Sequence, residues 1–291
     1  MQKLIYVPPW DTLGGGDNVA LMLAEPYILG TVSGTSGTDT TIQSDTIPGL
    51  DGAYMRGIRI EPVIVKCTVN VHGTSREDMY KNRFALIRSL TPKATPGTLF
   101  YSNDYKTLKI GAVPQNSPGF TARIQNYNAA SIEFYCPSPF WEETEATIKR
   151  VAYVGNDFEF PLALDDGMQF GVVQSEMTIT PDSAVNVPLL ITIGAPATNP
   201  IKLTNSTTAE TIELEKSLTD GQKLIINTKR GEKSVTLVNA DGTSEDAFNY
   251  ITPDSVLFEL VPKENNIVYE SWNENEPTTV TIEYYERYTG V

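Results

Sequence analysis

The stretch Tyr135-Cys-Pro-Ser-Pro-Phe-Trp-Glu-Glu143 ends an alternating run and decides how the chain is divided. Just before it, "ASIEFYC" places Ile132, Phe134 and Cys136 on one face and Ser131, Glu133 and Tyr135 on the other. That is the period of a half-buried strand. Pro137 and Pro139 then offer no ladder amide and restrict the backbone, so pairing must stop there. Phe140 and Trp141 supply large apolar surface to pin the exit. We read Pro137, Pro139, Phe140 and Trp141 as an inter-domain joint, with domains over 1–138 and 139–291. A chain of 291 residues is long for one core and comfortable for two.

Charge changes at the same place. Residues 1–141 carry 12 Lys+Arg against 11 Asp+Glu, a net of +1, while residues 142–291 carry 10 against 25, a net of −15. An acidic surface of that size repels phosphates, so no nucleic-acid partner is expected for the second half. The near-neutral half is the better candidate for self-association. No run of about 18 apolar residues occurs, so no membrane insertion is expected. The opening "MQKLIYVPPWDTL" is cut by Pro8 and Pro9 and reads as too short for a secretory signal. With Cys67 and Cys136 as the only cysteines, folding in a reducing cytoplasm is the simplest reading.

Along the first half, residues 31–47 are dominated by Thr, Ser, Gly and Asp and read as a long loop or extended arm, ordered only if something packs on it. "VIVKCTVNVH" alternates well, with Val63, Val65, Cys67, Val69 and Val71 on one face. A helix is expected over about 75–90. Thr74 and Glu77 have capping-box spacing, Tyr80, Phe84 and Ile87 lie on one stripe flanked by Met79, Leu86 and Leu90, and Pro92 ends it. "TLFYSNDYKTLKIGAV" predicts two strands around Asn103-Asp104. The second half shows short alternating strands at about ten-residue spacing, "VLFELVP" among them. Turn signals at Asn205-Ser206, Asp220-Gly221, Arg230-Gly231 and Asp241-Gly242 separate them. That pattern argues for an antiparallel β-sandwich.

The residues offer little catalytic chemistry. His72 is the single histidine, between a strand and a helix cap, and reads as structural. Cys67 and Cys136 sit on apolar strand faces and read as small buried hydrophobes. Glu142-Glu143 and Asp165-Asp166 are sequence neighbours, which a strand points to opposite faces, so neither is a ready acid–base couple. "NADGTSED" at 239–246 reads as a turn and lacks EF-hand spacing. "LGGGD" at 13–17 is followed by no Lys-Ser/Thr and opens no dinucleotide site. No catalytic, cofactor or metal residue is assigned. Trp272 and Tyr285 are the candidate ligand or partner surface, which keeps a carbohydrate-binding module for cell-wall adhesion as the alternative reading. A glycosidase would rest on abundant acids alone.

Several segments occur in a familiar order. They are "GLDGAYMRGIRIEPVIVKCTV", then "RFALIRSLTPKATPGTLFYSNDYKTLKIGAV", then "IEFYCPSPFWEE", then "NPIKLTNSTTAETIELEKSLTDGQKLIINTKRGEKSV", and the closing "YYERYTGV". In order and spacing the chain resembles the distal tail proteins (Dit) of long-tailed phages, from about residue 47 to the end. Two departures stand out: 31–46 has no assignable counterpart, and Ala209 stands where many members have Gly. The resemblance implies a mainly β fold of two domains. The N-terminal β domain carries one helix and forms a ring; the C-terminal domain is a galectin-like antiparallel β-sandwich. It further implies a structural, non-enzymatic homo-hexamer at the virion tail tip, assembled in the host bacterial cytoplasm. The implied partners are the tail tube protein, a tail-associated, tape-measure or hub protein, and a receptor-binding protein.

Overall fold

Alternation in residues 63–72 has a direct structural outcome. The chain's computed structural model describes residues 2–12, 19–21, 23–121, 125–152, 175–271 and 278–291. Leu13–Asp17, Asp165-Asp166 and Trp272 lie outside the described residues. No described helix is long and apolar enough to cross a membrane.

In chain order the first strands are β1 (Lys3–Val7), β2 (Val19–Leu21), β3 (Leu23–Ala24), β4 (Tyr27–Ser33), β5 (Thr40–Asp45), β6 (Tyr54–Ile60) and β7 (Val63–His72). Helix α1 (Arg76–Ser89) follows, then β8 (Gly97–Ser102), β9 (Thr107–Pro114), β10 (Gly119–Phe120), β11 (Tyr127–Cys136) and β12 (Trp141–Glu143). Strands β7 and β11 pair antiparallel along their whole length, from Val63–Cys136 to His72–Tyr127. Their inward sets, Val65, Val69, Val71, Ile132, Phe134 and Cys136, are buried. Each such side chain contributes about 1.5–3 kcal/mol on full burial. The main sheet runs β2-β1-β8-β9-β11-β7-β4-β3.

The helix differs from expectation in two ways. Its N-cap is Ser75, whose hydroxyl accepts from the Asp78 amide at 3.1 Å, and Asp78 reaches back to the Thr74 amide at 2.9 Å. The capping pair is therefore Ser75–Asp78, one residue later than Thr74–Glu77, with the return bond going to the amide of the residue before the cap. The buried stripe is Met79, Leu86 and Leu90, whereas Tyr80 is 39% and Phe84 71% exposed. The core accepted the aliphatic side of the helix and left an aromatic side outside.

Residues 31–47 are also more regular than their composition suggests. Strands β5 and β6 pair from Thr40–Ile60 to Asp45–Tyr54 as a separate two-stranded sheet, with a bulge between Gln43 and Ser44. Main-chain pairing needs no apolar pattern, which is why a polar segment read as loop forms a strand.

The second region contains β13 (Thr147–Ala152), β14 (Ser175–Ile179), β15 (Leu190–Gly194), β16 (Ile201–Asn205), β17 (Glu210–Leu214), β18 (Lys223–Asn227) and β19 (Ser234–Val238). It continues with β20 (Ser244–Asp246), β21 (Asn265–Ser271) and β22 (Thr279–Tyr284), after which β23 (Arg287–Tyr288) returns to the first sheet and pairs with β12. A six-stranded sheet, β13-β22-β15-β18-β19-β20, and a four-stranded one, β14-β21-β16-β17, are antiparallel and share one core. That core joins Ile191, Ile226, Leu237 and Ile282 of the first sheet to Leu203, Ile212 and Ile267 of the second. This is a β-sandwich. "VLFELVP" forms no strand beyond a bridge from Leu260 to Val187. Instead the segment runs along β17, with the Val256 amide on the Thr211 carbonyl at 2.8 Å.

Two local features fix this sandwich. Buried Asn265 accepts from the Val261 amide at 3.0 Å and from Asn205 Nδ2 at 3.0 Å, and donates to the carbonyls of Val261 at 2.9 Å and Lys263 at 2.6 Å. It clamps the turn before β21. Ala209 closes the β16–β17 turn at φ +56°, the left-handed conformation a glycine would adopt freely.

By its contacts the chain forms two compact units: Met1–Thr144 with Tyr288–Val291, and Glu145–Arg287. The first boundary falls after the Pro-rich stretch and not within it, because Trp141 is buried in the first core and stacks edge-on against Tyr101 at 6.1 Å.

Candidate functional site

For a protein without an evident reaction centre, the informative places are those where side chains are held in costly or unpartnered ways. The residues considered for catalysis are held in ordinary ways. His72 Nδ1 lies 2.7 Å from the Glu25 carboxylate, within ion-pair range but off the line of a hydrogen bond. Burial pushes the Cys67 and Cys136 thiols up to about 12, so neither is a nucleophile near neutral pH. Asp241 accepts from the Thr243 hydroxyl at 2.6 Å and its amide at 2.9 Å, which holds its carboxyl below the usual range and makes 239–246 a turn. No group of acids, histidines or cysteines suited to a metal occurs among the described residues.

The β5–β6 hairpin is different in kind. Among the described residues, six of the seventeen exposed large hydrophobics fall between residues 42 and 58: Ile42, Ile47, Leu50, Tyr54, Met55 and Ile58. Ile42 and Ile58 are direct cross-strand partners, 60% exposed each. Arg56 pairs with Asp45 across the two strands, and Arg59 with Glu61 at 3.7 Å along its own strand, so both arginines are engaged within the ribbon. A two-stranded ribbon alone is marginal in water, and this one exposes apolar side chains along its length. Its root is well defined. Gly34 leaves β4 at φ +83°, where a Cβ would strike the Ile64 carbonyl oxygen, and the Val291 amide donates to the Thr35 carbonyl at 2.8 Å. The arm is held firmly at its base, and among the described residues no third strand joins it along its shaft.

A second constellation ties the chain where it leaves and re-enters the first unit. Strand β12 pairs with both β9 and β23. Lys106 Nζ donates to Glu143 Oε1 at 2.9 Å and to the Tyr288 hydroxyl at 2.7 Å, and that hydroxyl lies 3.1 Å from the same Glu143 oxygen. The Glu143 and Tyr288 contacts hold the lysine well above its ordinary 10.5. Glu143 is thus the acidic member of a clasp joining outgoing and returning strands.

Of the residues assigned to a joint, Trp141 is buried in the first core, and Pro137, Pro139 and Phe140 lie on the segment leading to it, all within the first unit. Tyr285 is 37% exposed on the second unit, while its neighbour Tyr284 is buried with Ile282 and Val280. Sequence reasoning missed Lys106 and the hairpin. Lys106 has no local signal, since its partners are 37 and 182 residues away. The hairpin had one: "IPGLDG", two glycine turns between segments carrying Ile42 and Ile58.

Comparison with known proteins gives these features a context. Residues 182–288 match a family described as siphovirus-type tail component, C-terminal domain, and residues 21–136 match the phage tail protein RIFT-related domain. Curated protein sequences gave no match. Among solved structures, SPP1 Dit, titled a paradigm of hub adsorption apparatus in Gram-positive infecting phages, aligns over 99% of both chains. Its TM-score is 0.70 at 12% identity. A chain of the phage P2 baseplate, in its activated conformation with Ca, aligns over 100% of this chain and 99% of its own, with TM-score 0.55 at 12% identity. The same baseplate with Sr gives 0.54 over 97% of both chains, again at 12% identity.

Proposed function

The chain belongs to the distal tail protein (Dit) family of siphovirus-type tail components, and from that premise we propose that it is a structural hub of a phage tail tip. It works through interfaces and not through bond-making. The observation that carries this reading is the β5–β6 hairpin, an apolar arm rooted in the first unit whose large side chains stand exposed along its shaft among the described residues. An arm of that kind has a use when a second copy covers it. Copies joined head to tail close into a ring, and six is the number expected from the family resemblance.

In this reading the near-neutral first units form the ring beneath the tail tube. The acidic second units, sandwiches of galectin type, carry receptor-binding or other baseplate proteins, with Tyr285 on the presented surface. Pro137, Pro139, Phe140 and Trp141 stiffen the exit toward the second unit, and the Lys106–Glu143–Tyr288 clasp holds exit and return strands together. The protein resides in the virion tail after assembly in the host cytoplasm.

Native mass measurement and negative-stain imaging, alone and with tail tube protein, test the proposal. Closed rings of one stoichiometry are expected. A strict monomer that neither joins tail tube protein nor occurs in virions would overturn it.

A further inference from the structure

A ring needs two different patches on each copy, because a patch that meets itself gives a twofold dimer and stops. The hairpin is one patch. The other must be exposed, apolar and elsewhere on the first unit. Outside the hairpin, that unit's exposed large hydrophobics among the described residues are Trp10, Ile64, Tyr80, Phe84, Tyr105 and Tyr135. Trp10 already lies under Lys93 at 5.5 Å, and Tyr105 stands alone in a turn beside Lys106, 5.6 Å from its ring. Ile64 and Tyr135 are cross-strand partners on β7 and β11, beside the root of the same copy's β5–β6 hairpin, where Gly34 packs on the Ile64 carbonyl. Tyr80 and Phe84 remain. They sit one helical turn apart on the outer side of α1, and Phe84 is 71% exposed.

Charge favours the same pairing. The hairpin ladder runs out to Asp39 and Glu61, whose amide reaches the Asp39 carbonyl at 2.9 Å. Residues 39–61 hold four acids against two arginines, a net of −2. Helix residues 76–89 hold four basic residues against two acids, a net of +2. Within the hairpin both arginines are engaged by Asp45 and Glu61, which leaves the excess on Asp39 and Asp51. Along the helix, Lys81 is engaged by Glu77 at 3.0 Å.

We propose that the outer face of α1, centred on Tyr80 and Phe84, receives the β5–β6 hairpin of a second copy of this chain. The inference rests on the ring reading and names the surface that completes it. The Ile42–Ile58 pair lies against the two aromatic rings, and the acidic ends of the hairpin lie toward the basic helix. Such a contact is heterologous, so each copy gives a hairpin to one neighbour and a helix to the other.

Photo-crosslinking with a benzoylphenylalanine placed at Phe84 tests it, in rings assembled from equal parts of isotopically light and heavy protein. The expected product is a light–heavy peptide pair joining α1 to residues 39–61. Phe84→Glu should weaken copy–copy association at least tenfold with an unchanged melting temperature, because this side chain contributes nothing to its own core. Rings that form while cross-links fall outside 39–61, or fall only within one copy, overturn the inference and leave the ring reading standing. Rings formed normally by Phe84→Glu do the same. If no ring forms with tail tube protein present, the ring reading falls and takes this inference with it.

Discussion

Replacing Lys106 with methionine should weaken the first unit by about 1–2 kcal/mol at neutral pH. The size follows from how the ammonium is held. It makes contacts of 2.9 Å to Glu143 and 2.7 Å to Tyr288, with the lysine side chain 28% and the glutamate 30% exposed. Exposed ion pairs contribute about 0–1 kcal/mol, whereas removing one partner of a fully buried pair costs about 3–5 kcal/mol. A pair at this exposure falls between those limits and toward the lower one. Methionine keeps most of the aliphatic volume, so packing changes little and the loss is chiefly electrostatic. In a unit of this length, about 1–2 kcal/mol lowers the melting temperature by roughly 3–6 °C. The sign with pH is fixed. A lysine raised in the folded state stabilises fully below its ordinary 10.5, and the stabilisation fades as pH rises through the folded value. Wild type and K106M should therefore differ fully at pH 7 and converge only above about pH 10.5. Denaturant unfolding followed by tryptophan fluorescence, with Trp141 inside the affected core, reads the difference. A double-mutant cycle with Glu143→Gln should return about 1 kcal/mol of coupling. A melting temperature within 1 °C or so of wild type at pH 7, or a loss that grows as pH rises past 10.5, would refute the clasp.

Ile42→Asp with Ile58→Asp should abolish higher assembly by native mass measurement, yet leave the melting temperature within about 2 °C, since both side chains are already 60% exposed. Asn265→Ala should cost about 2–4 kcal/mol in equilibrium unfolding, because it strands the Val261 amide and two turn carbonyls in a buried site. Stability unchanged in that variant would show the clamp to be incidental. Ala209→Gly should stabilise the second unit by about 0.5–1 kcal/mol, as relief at φ +56° outweighs glycine's extra unfolded freedom. A loss in the same unfolding assay would mean that the methyl group matters more than the strain.

The strands were legible wherever one face meets a core. The alternation in 63–72 and 130–136 placed Val65, Val69, Ile132 and Phe134 inward, as the structure has them. The positive φ of Gly221, Gly231 and Gly242 likewise follows from the turn pairs read in the sequence. Reading failed where side-chain pattern is not what decides. The segment at 40–45 is a strand because its main chain is paired, and its side chains carry no signal of that. Helix α1 has apolar residues on two sides, and the sequence does not say which side the sheet will take. "VLFELVP" alternates like a strand, but its register is spent lining β17. The clasp lay beyond local reading, because a lysine, a glutamate and a tyrosine meet only once the fold has brought the C-terminal strand β23 back to β12.

Placing the acids in one half has an energetic reason if copies assemble as proposed. Two like charges 4 Å apart in water repel by about 1 kcal/mol, and salt at physiological strength suppresses this only beyond roughly 8 Å. A ring interface brings surfaces well inside that distance, so a second unit with a net of −13 over residues 145–287 would oppose closure at every seam. The first unit, with a net of −1, does not, and its local imbalances, −2 on the hairpin and +2 on α1, attract. A heterologous contact also gains from closure. Each added copy makes one contact until the last, which makes two, so seams that are modest singly hold a complete ring far better than an open chain. The hairpin need not be large for that purpose. It must be rigid at its root, apolar along its shaft and opposite in charge to its acceptor. Gly34 and the Thr35–Val291 contact supply the first, Ile42 and Ile58 the second, and Asp39 and Asp51 the third.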